Sequence, residues 1–356
     1  MLQCVDSPLL TASATIPDHT RMTKQTYLTG ITTTGTPHLG NYVGAIRPAI
    51  EASQIADNES YYFLADYHAL INSQDPAGVR RSRLEIAATW LAMGLDTDRS
   101  TFYRQSDIPE IPELTWVLTC MTAKGLMNRA HAYKGVMQEN IDAGSKDPDK
   151  GISMGLFNYP ILMSADILMF KATKVPVGKD QIQHLEMCRD IAQRFNHHYG
   201  ELLVVPEVVV DEDTALITGL DGRKMSKSYK NTIPLFDTSK KLRKMVMKIT
   251  TNSLEPGEPK DPVGNSVFDI YSAFASQEQI DALRDDYAGG IGWGDAKQRL
   301  FELLDSQLSE PREKYEALMA KPHEVEDVLQ AGAAKARVHS KELMGQIREA
   351  VGLSNI

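Results

Sequence analysis

Thr29-Gly30-Ile31-Thr32-Thr33-Thr34-Gly35-Thr36-Pro37-His38-Leu39-Gly40-Asn41-Tyr42-Val43-Gly44 joins a strand-like stretch, Gln25 to Gly30, to a helical one from about Asn41 to Ala56. Glycines let a backbone come close to a phosphate, and a helix starting at Asn41 offers free N–H groups and a positive dipole end. The strand leading into such a turn belongs near the middle of a sheet, where α/β proteins bind nucleotides. The glycine spacing fits neither the P-loop nor the dinucleotide fingerprint. On the glycines alone, a purely structural turn explains the stretch nearly as well.

Outward from this turn the pattern repeats. Strand signals at Tyr61 to Ala65, Thr101 to Tyr103, Val175 to Val177 and Leu202 to Val210 alternate with helical ones. The helices fall at Pro76 to Met93 (closed by Gly94), Pro112 to Leu126, Tyr159 to Phe170 and Gln181 to Phe195, and Lys134 to Gly151 reads as a Gly/Lys/Asp-rich loop. Strands alternating with helices through short loops predict a parallel sheet covered on both faces. Beyond Ile233 the pattern is helical through Val351, so the expected fold is a Rossmann-like α/β domain followed by a smaller all-helical one. The expected boundaries are a flexible leader at 1–22 (Met22 being an alternative start), the α/β domain at 23–232 and the helical domain at 233–356, whose last helix can pack back on the first.

The 356 residues suffice for two domains, and 42% hydrophobic with 24% charged residues is ordinary for a globular chain. No run approaches the roughly 18 apolar residues of a membrane span, and no secretory signal pattern opens the chain. Cys4, Cys120 and Cys188 form no C-x-x-C pair, which speaks against a structural metal or a disulfide framework and for a cytoplasmic location. The net charge of −9 argues against general nucleic-acid affinity. Yet Arg223, Lys224, Lys227, Lys230, Lys240, Lys241, Arg243, Lys244 and Lys248 face one acid, Asp237, in one stretch. That suits a polyanion met at one place, or a solvated helix face.

Inside that stretch lies Lys224-Met225-Ser226-Lys227-Ser228, behind Asp221-Gly222. Two lysines three apart on a loop can clamp a pyrophosphate whose charge grows as it leaves. Together, this loop and His38-Leu39-Gly40-Asn41 resemble the KMSKS and HIGH hallmarks of class I aminoacyl-tRNA synthetases. The resemblance implies an ATP-dependent enzyme in which His38, with Gly40 and Asn41, contacts phosphates and stabilises in-line attack on the α-phosphorus. Lys224 and Lys227, supported by Ser226 and flanked by Met225 and Ser228, bind the departing pyrophosphate, with Mg²⁺ as counterion.

Two further segments are similar to the tryptophanyl branch: Tyr159-Pro160-Ile161-Leu162-Met163-Ser164-Ala165-Asp166-Ile167-Leu168, and Val175-Pro176-Val177-Gly178-Lys179-Asp180-Gln181-Ile182-Gln183-His184. From about Lys24 to the end, the resemblance implies a ligase for tryptophan and tRNA(Trp), homodimeric, with Trp116 to Met127 as interface helix and the helical domain on the anticodon. A carboxylate among apolar residues, as at Asp166, is costly without a partner, and an indole N–H, a pure donor, is a fitting one. Around it Tyr159, Met163, Val175 and Val177 would line a flat slot, Leu28 and Gly30 its floor, and His68 would bind substrate. Thr32, Thr33, Thr34, Gly178, Lys179, Asp180, Gln181 and Leu216 would face ATP, Asp180 taking ribose hydroxyls or the substrate amino group and Leu216 the adenine.

The chain departs from that pattern in three places. Thr32-Thr33-Thr34 replaces a common Gln-Pro-Ser, Leu28 a frequent aromatic, and Tyr67 a common glutamine. The rival readings are a tyrosyl-tRNA synthetase, a non-enzymatic paralogue and a nucleotidylyltransferase. The helical end, with the small-residue run Ala331 to Ala336, and the intact lysine loop favour the tryptophanyl reading. No insertion long enough for an editing domain interrupts the α/β part, which fits a bulky aromatic substrate.

Overall fold

A computed structural model describes residues 25–55, 58–178, 181–210 and 217–354. The strands are β1 (Gln25–Thr32), β2 (Asn58–Ala65), β3 (Ser100–Arg104), β4 (Lys174–Val177) and β5 (Glu207–Val210). They form one sheet of order β3-β2-β1-β4-β5, every pair parallel. The chain builds outward from β1 on one side, then crosses over to add β4 and β5 on the other. The strand order therefore reverses between β1 and β4, and the carboxyl ends of those strands frame the crevice where open α/β sheets bind ligands.

Both faces of the sheet are covered, so the central strand β2 is buried from Ser60 to Ala65. Tyr62 and Leu64 pack with Ile50 of α2 (Arg47–Ser53) and with Ile86 and Trp90 of α4 (Pro76–Ala92). Tyr61 and Phe63 point the other way, into a cluster with α5 (Glu110–Met121), α8 (Met154–Met169) and α9 (Ile182–Tyr199). The short helices are α1 (Leu39–Asn41), α3 (Asp66–Ala69) and α6 (Lys124–Met127); a π-helical turn, Tyr42–Ile46, joins α1 to α2.

Three expected elements differ. Lys134 to Gly151 is not all loop: α7 (His131–Asp142) occupies its first half, held where Tyr133 meets Phe157 edge-on at 5.1 Å. No residue of α7 is fully buried: its apolar side, Ala132, Tyr133, Val136 and Met137, is only half-covered, and Lys134-Gly135 within it reads as loop. The single helix expected over Pro112 to Leu126, and with it the interface helix over Trp116 to Met127, is broken because Thr122 and Ala123 are both extended. The last strand begins at Glu207 rather than Leu202, after Pro206, which has no N–H to give to a ladder.

The helical half comprises α10 (Ser239–Met247), α11 (Ser266–Phe274), α12 (Gln277–Ala288), α13 (Trp293–Ala320) and α14 (Pro322–Ala350). Its core takes in Leu39 and Val43 from the first turn and Met225 from the lysine loop, so both motifs are fastened to the same apolar cluster. Helix α14 lies against β3, with ion pairs Glu326–Arg104 (2.6 Å), Arg337–Glu110 (2.8 Å) and Arg348–Glu113 (2.5 Å) along its length. Contact at its middle depends on Gly332, where a Cβ would stand 1.7 Å from the Phe102 carbonyl oxygen. Gly332→Ala should therefore destabilise the protein by about 1–3 kcal/mol or more in denaturant unfolding. Gly345→Ala on the same helix, where a Cβ meets nothing within 4 Å, should be neutral or stabilising by up to about 1 kcal/mol. Equal effects of the two substitutions would refute the close approach.

Candidate active site

His38 sits one residue before α1 and caps it. Its Nδ1 accepts the Asn41 N–H at 3.3 Å, while its own backbone N–H donates to the Asn41 side-chain oxygen at 3.1 Å. With Nδ1 occupied as acceptor, the proton of the neutral ring lies on Nε2, which is left as a donor. Burial, with Lys227 adding to it, pushes the His38 pKa down from 6.5 to about 4. The turn before it is gripped by α4: Ser82 donates to the Gly35 carbonyl at 2.9 Å, and Thr36 donates to Glu85 at 2.8 Å. Gly35 has φ +63, a left-handed conformation open to glycine, and Lys227 packs against it.

The lysine loop reaches this turn through two backbone hydrogen bonds. Leu39 N–H donates to Ile233 O at 3.0 Å and Leu235 N–H to Pro37 O at 3.1 Å. Buried Asn231 shapes the loop: its side-chain oxygen accepts the Ser226 N–H at 2.8 Å, and its amide nitrogen donates to Asp221 at 2.6 Å and Lys224 O at 3.1 Å. The Lys227 ammonium donates to the Thr34 carbonyl, and desolvation lowers its pKa, with Glu85 opposing the shift. Between the two motifs lies a cavity of about 660 Å³ lined by Thr32, Thr34, His38, Gly40, Asn41, Lys224, Met225, Ser226, Lys227 and Ser228. Thr33 is buried and absent from that lining, its hydroxyl without a hydrogen-bond partner.

A second cavity of about 590 Å³ opens at the carboxyl ends of β1 and β4. Leu28, Gly30, His68, Tyr159, Met163, Asp166, Val175, Val177, Gly178 and Gln181 all line it. Gly30 is required there, since a Cβ would stand 2.4 Å from the Phe63 ring, and Phe63 supplies an aromatic wall that Leu28 does not. At the base Asp166, 1% exposed, is met by His68 Nε2 at 2.9 Å and by the Gln105 amide nitrogen at 2.9 Å from both oxygens. Burial raises the Asp166 pKa, and the bonds to His68 and Gln105 oppose the rise. Gln181 accepts from His184 Nδ1 at 2.9 Å, which leaves His184 Nε2 to accept the Tyr159 hydroxyl proton at 2.8 Å.

The two cavities share Gly30, Thr32, Gly44 and Ala45, so a molecule in one can touch a molecule in the other. Lys179, Asp180 and Leu216, assigned from the sequence to the nucleotide, lie outside the described residues. Glu85, Gln105, Phe63 and Asn231 belong to the site and were not singled out in the sequence. Their contacts are all long-range or internal to a loop, and no short motif announces them.

A mononucleotide-sized crevice with a histidine-capped helix on one side and a basic loop on the other is the arrangement of a nucleotidyl-transfer enzyme. The model of the class I tRNA synthetases (W and Y) matches residues 20–309. The chain belongs to that class. The tryptophan–tRNA ligase of Pseudomonas aeruginosa is 63% identical over 332 residues, covering 92% of this chain and 74% of that protein. That of Neisseria meningitidis is 58% identical over 332 residues, covering 93% and 99%. The crystal structure of Campylobacter jejuni tryptophanyl-tRNA synthetase complexed with ADP and tryptophan aligns with a TM-score of 0.83 at 42% identity, covering 92% of this chain and 100% of that one. Within the class, the family of this chain is that of the tryptophan–tRNA ligases.

The depressed His38 pKa has a consequence for stability. The folded state binds the His38 proton less tightly than the unfolded chain does, so this contribution is full above pH 6.5 and is lost as pH falls toward about 4. Going from pH 6.5 to 4, the wild type should lose up to about 3 kcal/mol more unfolding free energy than His38→Gln. Parallel pH slopes in urea unfolding would show that His38 titrates normally.

Proposed function

We propose that the chain activates L-tryptophan with ATP and transfers it to tRNA(Trp). The junction of the two cavities supports this reading, because it brings an amino-acid carboxylate from the second cavity against an α-phosphate in the first. A carboxylate oxygen attacks the α-phosphorus, the bond to the bridging oxygen breaks, and pyrophosphate leaves. A ribose hydroxyl at the tRNA terminus then attacks the acyl carbon and releases AMP.

No covalent enzyme intermediate is needed, so the residues act by position and charge. The His38 Nε2–H donates to phosphate oxygens beside the positive end of α1. Lys224 and Lys227 take up charge on the leaving pyrophosphate, for which the Lys227 ammonium exchanges its bond to the Thr34 carbonyl, and Ser226 supports them. Thr32, Thr34, Gly40, Asn41, Met225 and Ser228 complete that cavity; Gly178 and Gln181, with Lys179, Asp180 and Leu216, complete the nucleotide's surroundings. Asp166 accepts the indole N–H between the walls formed by Leu28, Gly30, Tyr159, Met163, Val175 and Val177, with His68 orienting the carboxylate.

Mg²⁺ enters as the counterion of ATP. Among the described residues no group of three or more His, Cys, Asp or Glu side chains is arranged to hold a metal, and Mg²⁺ commonly binds through substrate phosphates. Lys240, Lys241, Arg243, Lys244 and Lys248 at α10 form the basic surface that meets tRNA, with the helical domain on the anticodon. A homodimer through the α5 face, where Trp116 is 68% exposed, accounts for that apolar surface. No described helix is long and apolar enough to cross a membrane, and the reaction belongs in the cytoplasm, with ATP and tRNA.

Purified protein should exchange labelled pyrophosphate into ATP when tryptophan is supplied; exchange driven by tyrosine instead would overturn the specificity. Lys227→Ala should slow that exchange about a hundredfold or more while leaving tryptophan binding in place. Wild-type exchange by this variant would remove Lys227 from the mechanism. Asp166→Ala should raise KM for tryptophan by about tenfold to a hundredfold and KM for ATP far less. Equal losses would point to a general collapse of the site.

A further inference from the structure

Gln105 is fully buried in the 3₁₀ turn Gln105–Asp107, directly after β3, and its side chain spans two elements of the amino-acid cavity. Its oxygen accepts the Tyr67 N–H at 3.0 Å, at the start of α3. That bond fixes the amide's orientation, since a flip would turn the NH₂ group onto a backbone donor. The nitrogen must then face Asp166, where it donates to Oδ1 and Oδ2, both at 2.9 Å. His68 takes Oδ2 alone, so Oδ1 has Gln105 as its one donor among the described residues and keeps lone-pair capacity toward the cavity.

We infer that Gln105 is a positioning residue for substrate selection: its locked amide holds Asp166 as a pure acceptor, and so sets the preference for an indole over a ring of the same shape without an N–H. This rests on the reading of Asp166 as the indole acceptor. An amide NH₂ can only donate, so it stabilises the carboxylate over the carboxylic acid, in which one oxygen becomes a donor and gives up a lone pair that the indole could use. The influences on Asp166 oppose one another. Burial raises the Asp166 pKa, as does the charge of Asp66 from α3, while His68 and Gln105 lower it. Tyr103 of β3 also couples to Asp166. Asp66 is itself held by Ser106 N–H at 3.0 Å, the Ser106 hydroxyl at 2.6 Å and Arg83 at 3.4 Å, so its side chain keeps its place beside the pair.

Two substitutions test this in opposite directions. In Gln105→Leu, Asp166 loses a donor and protonates more readily, so KM for tryptophan should rise by about tenfold and rise further as pH falls from about 8 to about 6. In Gln105→Glu, one oxygen still accepts the Tyr67 N–H, and the other donates to Asp166 only while protonated. Its KM should therefore climb as pH rises through the same range. In both variants the loss should fall on KM for tryptophan rather than on KM for ATP. Discrimination against 3-benzothienylalanine, in which sulfur replaces the indole N–H, should shrink by about tenfold. Both variants giving pH-flat KM values, or losing ATP and tryptophan alike, would make Gln105 a packing residue and overturn the inference. A wild type that shows no tryptophan-dependent exchange would overturn the underlying reading instead, so the two failures are distinct.

Discussion

Two backbone hydrogen bonds, Leu39 N–H to Ile233 O and Leu235 N–H to Pro37 O, hold the site together. They join the first sheet turn to a segment nearly two hundred residues later, and the lysine loop ends just before that segment. Pairing between remote stretches costs loop-closure entropy that local contacts do not. The apolar cluster containing Leu39, Val43, Met225 and Ile233 offsets it, because those side chains leave water only when the two stretches meet. The lysines themselves add little to this attraction: Lys224 is exposed, and Lys227, although desolvated beside Gly35, is tied there only through its ammonium on the Thr34 carbonyl. Asn231 and Met225 anchor the loop inside the fold, while its charges lie at the surface of the cavity.

The same division explains what could be read from the chain. The placing of His38, Lys224 and Lys227 at one cavity and of Asp166 at the other was legible because each sits in a contiguous motif: a turn before a helix, two cations on one loop, an acid amid apolar neighbours. The alternation of strands and helices was legible for a similar reason, since β2 is apolar on both faces and α9 has a buried stripe from His184 to Phe195. Helix α7 was not, because it fully buries no residue and carries Gly135 in its first half, and its place depends on Tyr133 meeting Phe157. The break at Thr122–Ala123 was missed because neither residue is a strong helix breaker, and tertiary packing decides such cases.

Gln105, Glu85 and Asn231 were illegible for a deeper reason. Each acts on another residue rather than on a ligand, and each does so across the fold or within a loop. A glutamine after a strand, a glutamate inside a helix and an asparagine in a turn are ordinary surface residues by composition. They become part of the site only when the fold buries them beside a group that needs a donor or an acceptor. Thr33 shows the converse. It reads as one of three equivalent threonines, yet its side chain turns inward while Thr32 and Thr34 face the cavity. In a turn the direction of each side chain follows backbone dihedrals that sequence alone does not give.

On the proposed reading, the cavity at the carboxyl ends of β1 and β4 chooses its amino acid without proofreading. Apolar walls of Leu28, Met163, Val175 and Phe63 reward any flat ring of the right size, and by themselves separate similar rings only modestly. Discrimination grows when the pocket holds a buried polar group that the wrong ligand leaves unpaired. Asp166 is such a group, but a buried carboxyl left to itself drifts toward its neutral form, which donates as readily as it accepts. Selectivity for an N–H therefore requires more than the acid: it requires neighbours that can only donate. The Gln105 amide, its oxygen engaged by the Tyr67 N–H, meets that requirement, and His68 Nε2 meets it in the tautomer that carries its proton there, so on the proposed reading the specificity of the pocket resides in their arrangement as much as in Asp166.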